Sequence, residues 1–281
     1  MSTAQTAVPN TMTEHSSPVS PNLPDREPWP EIDSLPAATS IDITPPGGWY
    51  VVAKTAFDYA AALVLLPFAL VLIALAAVAV KLTSPGPVFY TQTRVGLNGR
   101  KYKIIKIRTM HANIEAVSGI QWSRQGDSRV TPVGRILRVT HIDELPQLFN
   151  VLMGQMSLVG PRPERPEIIQ AKGLNHLVPG YRHRLRVKPG VTGLAQCLLP
   201  ADTDITSVRH KIVYDLYYIE NMNFFLDVRL MGATLLAAMG IGPKTVQWLV
   251  GLPNRQQVAA AFLAGVVAPA GPSPLPTLQP V

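Results

Sequence analysis

The first 48 residues carry no helical or strand periodicity, and they hold nine of the 27 prolines among many Ser and Thr. That pattern predicts a tail without stable structure. From Tyr59 to Val80 it changes to 22 uncharged, mostly Ala, Leu and Val residues, bounded by Asp58 and Lys81. A run that long and apolar on every face predicts a helix that enters a bilayer. Pro67 inside it lacks an N–H and clashes with the carbonyl four residues back, so a bend is expected there. Lys54 before the run and Lys81 after it give no charge asymmetry, so a spanning and a re-entrant course both remain open.

Beyond the breaker Ser84–Pro87, residues 88–92 and 102–107 read as strands, with Asn98-Gly99 as the turn between them. Alternation places Tyr102, Ile104, Lys106 and Arg108 on one face. Residues 143–153 predict one amphipathic helix, with Leu145, Leu148, Phe149 and Leu152 on its apolar face and Gly154 as the stop. Pro146 fits only in the first turn, which puts Asp143 and Glu144 at the helix N-terminus. Residues 209–221 and 224–239 also read as helices. Tyr214, Tyr217 and Tyr218 suit either a core or an interfacial belt, and the neighbouring anchor favours the belt. Residues 253–281, rich in Ala, Pro and Gly, read as a second tail.

Composition sharpens this picture. Of 281 residues, 47% are hydrophobic and only 15% charged, with a net charge of +7, which excludes a disordered chain. Cys197, the only cysteine, excludes a disulfide scaffold and reads as a small buried residue. Residues 1–48 hold one base against six acids, leaving 24 bases against 12 acids in the remainder. The working part of the chain is therefore strongly basic and calls for an anionic partner. Without a recognisable nucleic-acid module, and beside an apolar anchor, nucleic acid is the least fitting of these.

Asp143 and Glu144 suit either helix capping or chemistry. Arg135 and Arg138 lie upstream of them, and Arg162 follows in Val159-Gly-Pro-Arg-Pro163, where a proline on each side restricts the backbone that presents its guanidinium. Arg182, Arg184, Arg186 and Lys188 suit phosphate, whether a headgroup or a diphosphate. Asp127 and Asp215 are isolated acids. No P-loop, HExxH, CxxC or GxSxG is present, and the histidines lack metal-ligand spacing.

Residues 82–110, 127–138, 143–164, 187–196 and 214–221, in that order and spacing, resemble the bacterial sugar transferases. More narrowly, residues 50–240 resemble the monotopic phosphoglycosyl transferases that start glycan assembly on polyprenyl phosphate. The resemblance implies an α+β, mostly helical fold, with a re-entrant membrane helix over 49–82 and a cytosolic catalytic domain over 83–245 containing a small β-hairpin. Composition sets tails at 1–48 and 246–281 outside these segments, and the resemblance implies a place on the cytoplasmic face of the bacterial inner membrane. Asp143 of the Asp143-Glu144 pair would attack the β-phosphate of a UDP-sugar and hold Mg2+, releasing UMP. Polyprenyl (undecaprenyl) phosphate would then take the sugar phosphate, starting exopolysaccharide, capsule or O-antigen-type assembly, with membrane lipids and downstream glycosyltransferases as further partners. Lys106, Arg138 and Arg162 would hold phosphate or nucleotide, Asp215 would be an acid near the site, and Pro67 would mark the bend of the membrane helix. The alternative is a non-catalytic membrane scaffold, which would have no need of Asp143, Glu144 or Arg162. Departures from the family pattern are Thr55 after Lys54, which weakens a headgroup anchor, Leu66 before Pro67, Gln155 in place of an acid, and Cys197-Leu198 after TGLAQ, where sugar contacts vary.

Overall fold

A computed structural model describes residues 28–111, 122 and 126–267. The dominant element is α2, Trp49–Thr83, which follows a short α1 at Pro30–Asp33 and β1 at Ser40–Ile41. Its 35 residues extend about 50 Å at the ordinary helical rise, and the helix continues through Pro67. It is the one helix among the described residues long and apolar enough to cross a membrane. One stripe of α2 is buried: Asp58, Ala62, Ala69, Ile73, Ala76 and Val80, at near-heptad spacing. The opposite face leaves Leu63, Val64, Phe68, Val71, Leu75 and Val78 exposed. Ala62, Ala69 and Ala76, spaced by seven, let α2 lie close against the rest of the protein.

The other elements form a mostly helical body with small sheets. β2 (Phe89–Val95) and β3 (Lys101–Ile107) make the expected antiparallel hairpin, with Asn98 in the left-handed conformation at its tip. α3 (Pro132–Val139) is followed by a 3-10 turn at Ile142–Glu144 and then by α4 (Gln147–Leu152). β4 (Ser157–Val159) pairs in parallel with β5 (Gly190–Thr192). Between these strands lie α5 (Pro166–Ala171), α6 (Leu174–Leu177) and a 3-10 turn at Tyr181–Arg186. After α7 (Leu194–Leu198), helices α8 (Ile205–Asn221) and α9 (Phe224–Ala238) match the predicted pair.

Polar groups tie both ends of α2 to this body. Asp58 accepts hydrogen bonds from Ser157 Oγ at 2.7 Å and Leu158 N at 3.2 Å. Lys54 pairs with Asp227 of α9 at 2.7 Å, and the Tyr218 hydroxyl donates to the other oxygen of Asp227 at 2.7 Å. At the far end, Arg108 donates to the carbonyls of Ser84 and Pro85. Lys54 is therefore consumed inside the protein and is not available as a headgroup anchor.

Several expectations are corrected. Residues 28–48, read as part of a structureless tail, are built into the fold: Trp29, Ile32, Ile41 and Ile43 are buried. At the other end α10 (Pro243–Val250), α11 (Arg255–Ala264) and β6 (Val266–Val267) are formed, and β6 pairs with β1. A few well-spaced apolar side chains suffice to dock such segments, and proline-rich composition conceals them. Residues 1–27 and 268–281 lie outside the described residues. The tyrosine cluster belongs to the core rather than to an interfacial belt, since Tyr214 and Tyr218 are buried. Cys197 is half-buried, near the hydroxyls of Thr192 and Thr234.

Backbone packing explains the glycines that flank Arg162. A Cβ on Gly160 would collide with Lys188 O and Gly190 N, and one on Gly190 or Gly193 would collide with Gly160. Chain segments 159–160 and 189–193 can approach this closely only without side chains. Gly160→Ala should therefore destabilise the protein by about 2 kcal/mol or more. Gly242→Ala, where nothing lies within 4 Å, should stay within about 0.5 kcal/mol of wild type. Thermal unfolding of both variants in the same detergent checks this contrast.

Candidate active site

The predicted single helix over 143–153 is two pieces. His141, at φ 56°, reverses the chain after α3, and the 3-10 turn carrying Asp143 and Glu144 precedes α4 by a turn. Pro146 caps α4 from outside and supplies no N–H to it. The two acids are thus not helix caps. Their turn packs against α2, α3 and β3, and both side chains are buried, with Asp143 7% exposed.

β3 brings Lys106 to this turn. The same face carries buried Ile104, while the Lys106 ammonium reaches Glu144 Oε1 at 2.6 Å. Asn150 of α4 fixes the approach: its Oδ1 accepts from Ile105 N at 3.1 Å and its Nδ2 donates to Lys103 O at 2.8 Å. Asn150 also donates to Gln155 Oε1 at 2.7 Å, so Gln155 keeps the acceptor role an acid would play there. Sequence reading missed Asn150, because the apolar face predicted from Leu145, Leu148, Phe149 and Leu152 puts it on the polar side, whereas α4 buries Gln147, Leu148, Asn150 and Val151 and leaves Phe149 exposed.

Arg162 closes the other side. It donates to Glu144 Oε1 at 2.8 Å and to Gln196 Oε1 at 2.8 Å. Arg138, in the last turn of α3, donates through Nε to Thr109 Oγ1 at 2.9 Å and lies within electrostatic reach of Asp143. Gly134 lets α3 rest directly on the Thr109 backbone. Lys106, Arg138, Arg162, Asp143 and Glu144, all predicted from sequence, therefore form one cluster.

The two neighbouring carboxylates are treated in opposite ways. Burial alone would raise the Glu144 carboxyl, but Arg162 and Lys106 hold it well below its usual range by charge and hydrogen bonds. Asp143 makes no hydrogen bond or ion pair among the described residues. Burial, with the Glu144 charge second, pushes its pKa up to about 6 against the pull of Lys106, Arg138 and Arg162. Glu144 is thus a fixed counterion, while the oxygens of Asp143 are free to take a new partner. Three cations against two carboxylates leave the cluster suited to an anionic ligand.

Asp215 stands apart from this cluster. It is buried in α8 and pairs with Arg184 at 2.8 Å. Burial raises its pKa to about 6 against the pull of Arg184 and Lys211. Arg184 in turn donates to the Arg162 carbonyl at 2.6 Å, so Asp215 reaches the site through two intermediaries. Two more members of the basic run are engaged within the protein: Arg186 donates to Ile43 O at 2.6 Å, and Lys188 lies over the Tyr59 ring. Asp127 pairs with Arg129 at 2.6 Å. Among the described residues no group of three or more His, Cys, Asp or Glu could hold a metal.

The family profile described as bacterial sugar transferase matches residues 49–240, which include α2 and every residue of the cluster. This chain belongs to the bacterial sugar transferase family. It is 42% identical over 190 residues to a UDP-N-acetylgalactosamine-undecaprenyl-phosphate N-acetylgalactosaminephosphotransferase of Aeromonas hydrophila, covering 68% of this chain and 44% of that protein. It is 42% identical to the exopolysaccharide production protein PSS of Rhizobium leguminosarum bv. phaseoli, over 68% of this chain and 98% of the relative. A Caulobacter vibrioides UDP-glucose:undecaprenyl-phosphate glucose-1-phosphate transferase is 39% identical, over 73% of this chain and 78% of its own. The match thus spans under half of the first relative and nearly all of the second.

Opposite treatment of the two acids predicts opposite substitution effects. A raised Asp143 pKa means that its charged form costs stability above about pH 6 and costs nothing below about pH 4. Asp143→Asn should therefore stabilise the protein at pH 8, by about 2–3 kcal/mol at most, with the gain vanishing toward pH 4. Glu144→Gln, which strands Lys106 and Arg162, should destabilise by about 3 kcal/mol or more. Thermal unfolding across pH reads both.

Proposed function

We propose that this chain transfers a sugar 1-phosphate from a UDP-sugar to polyprenyl phosphate through a covalent aspartyl intermediate. The carrying observation is Asp143: a buried carboxylate without a hydrogen-bond or ion-pair partner among the described residues, in a cationic cluster, on a turn packed against the long apolar helix. The names of the relatives, which join UDP-sugars to undecaprenyl phosphate, supply the substrate class.

In the first step an Asp143 oxygen bonds to the β-phosphorus of the nucleotide sugar. The bond from that phosphorus to the bridging oxygen breaks, and UMP leaves with the oxygen and its electron pair. In the second step a phosphate oxygen of the polyprenyl phosphate attacks the same phosphorus, and the Asp143 carboxylate departs. A carboxylate nucleophile thus divides one transfer into two and gives ping-pong kinetics. Arg162 and Lys106, already oriented by Glu144, hold the phosphates. Arg138 adds positive potential beside Asp143.

Mg2+ ordinarily takes one or two carboxylates together with substrate phosphates, and Asp143 is the carboxylate of the cluster whose oxygens are not already held by cations. The residues present fit a Mg2+ carried by the diphosphate, with Asp143 as its protein ligand. When bound, it offsets charge between carboxylate and diphosphate and on the leaving oxygen.

The acceptor is a lipid, and the surface fits one. The outer stripe of α2 is apolar, and Phe57 of α2 stacks edge-to-face on Phe224 at the start of α9. From there exposed Phe225, Val228, Leu235 and Met239 run along α9, and Trp248 and Leu249 stand exposed on α10. A soluble body would place polar side chains on that stripe. Because α2 packs along the body and is tied to it at both ends, we place it as a re-entrant element, with the catalytic body on the cytoplasmic face of the inner membrane. The polymer begun there is of the exopolysaccharide, capsule or O-antigen type, handed on to downstream glycosyltransferases.

Purified protein with Mg2+, polyprenyl phosphate and a panel of UDP-sugars should release UMP from at least one of them, and Asp143→Asn should release none. Absence of UMP with every sugar, from folded protein, overturns the proposal. Without acceptor, wild type should release one UMP per active site in a burst. Because the attacking form is the deprotonated one, the rate constant of that burst at subsaturating UDP-sugar should rise about tenfold per pH unit up to about pH 6 and then level off.

A further inference from the structure

The 3-10 turn at Tyr181–Arg186 connects the site to segments outside the region that the family profile matches. Residues 28–48 precede that region and residues 241–267 follow it. The two segments form one brace. β1 pairs with β6, Arg255 stacks over the Trp29 ring at 4.7 Å, and Arg255 donates to Pro28 O at 2.9 Å. Ile32, Ile41, Ile43 and Phe262 are buried in it.

The brace grips the protein at two places. On α8, Arg209 donates to Asp33 O at 3.0 Å, and His210 lies 2.9 Å from the Asp33 carboxylate. On the 3-10 turn, His183 Nε2 lies 2.6 Å from Ile41 O and Arg186 donates to Ile43 O at 2.6 Å. A 3-10 helix repeats every three residues, so positions 183 and 186 share one face while 181 and 184 share another. The second face serves the site. Arg184 lies over the Tyr181 ring at 5.2 Å, pairs with Asp215, and donates to the Arg162 carbonyl at 2.6 Å.

We infer that the brace positions Arg162, with Arg186 and His183 as positioning residues and the 3-10 turn as the lever between them. The brace clamps one face of the turn, and the other face supports the backbone of the arginine that binds phosphate. Prolines 161 and 163 transmit the constraint, because the segment they bound has little freedom to absorb a shift of the turn. Misplacement of a substrate-holding group by about 1 Å costs up to about a hundredfold in rate. This inference rests on the phosphate-binding role of Arg162 proposed above.

The test uses the full chain and compares Arg186→Met, Arg186→Lys and Arg255→Ala. Arg186→Met keeps an apolar stem but removes the donor to Ile43 O. It should raise KM for the UDP-sugar, and Kd for UDP measured without turnover, about tenfold. Arg186→Lys, which retains a donor, should recover most of that loss. Arg255→Ala loosens the brace behind the turn, so it should lower Tm and raise KM and Kd in the same direction as Arg186→Met, by less. Wild-type KM and Kd in Arg186→Met overturn the inference, as do wild-type KM and Kd in Arg255→Ala at a lowered Tm, which would show that the brace bears on stability alone. Failure of the proposed reaction would look different: the wild type itself would release no UMP, and the substrate role of Arg162 would fall with it.

Discussion

A buried carboxylate fastens the apolar helix to the rest of the protein. Asp58 accepts from the Ser157 hydroxyl and the Leu158 amide, one turn above the Lys54–Asp227 pair. Sliding the helix by a turn would strip Asp58 of its partners and leave Asp227 with only the Tyr218 hydroxyl, a cost set by the desolvation of two buried carboxylates. The network therefore sets register and direction. With direction fixed, Ala62, Ala69 and Ala76 let α2 lie along the body, and the turn bearing Asp143 and Glu144 rests on its flank. An uncharged run of 22 residues would otherwise be free to tilt or span at will.

In the proposed function, this placement brings a charged reaction to a lipid surface. Two adjacent acids sit in one apolar, cationic niche, yet only one is neutralised by direct contacts. Glu144 takes both Lys106 and Arg162, and so organises the cations before any substrate arrives. Asp143 is left with raised basicity and free oxygens. In the proposed mechanism, the stability that its charge costs the fold is the counterpart of its role as nucleophile. In the proposed reaction, these preorganised cations would hold the phosphates.

Much of this was legible in the sequence. The apolar run, the hairpin with its Asn98-Gly99 tip, and helices α8 and α9 follow from periodicity and turn chemistry that act locally. Asp143, Glu144, Lys106, Arg138 and Arg162 follow from the family resemblance that the ordered motifs carry, and the fold gathers them. What was hidden depends on contacts between distant segments. Lys54 looked like a headgroup anchor because Asp227 lies 173 positions away. Tyr218 looked interfacial because its neighbour Asp227 was not yet seen as its buried partner. The brace escaped notice because Trp29, Ile32, Ile41 and Ile43 are too sparse to show a period, and each is buried by residues far along the chain. The break between the acidic turn and α4 turns on His141, a left-handed residue that carries no strong signal in sequence.

The central claim is geometric: both ends of α2 lie on the side of the membrane that holds Asp143. Trp49 and Thr83 are exposed at those ends, and Cys197 is the only native thiol. Trp49→Cys and Thr83→Cys, each in a Cys197→Ser background, can be labelled with an impermeant maleimide in right-side-out and inside-out membrane vesicles. The account predicts that both positions label in inside-out vesicles and neither in right-side-out ones. Labelling of the two from opposite sides would show a spanning helix and contradict it.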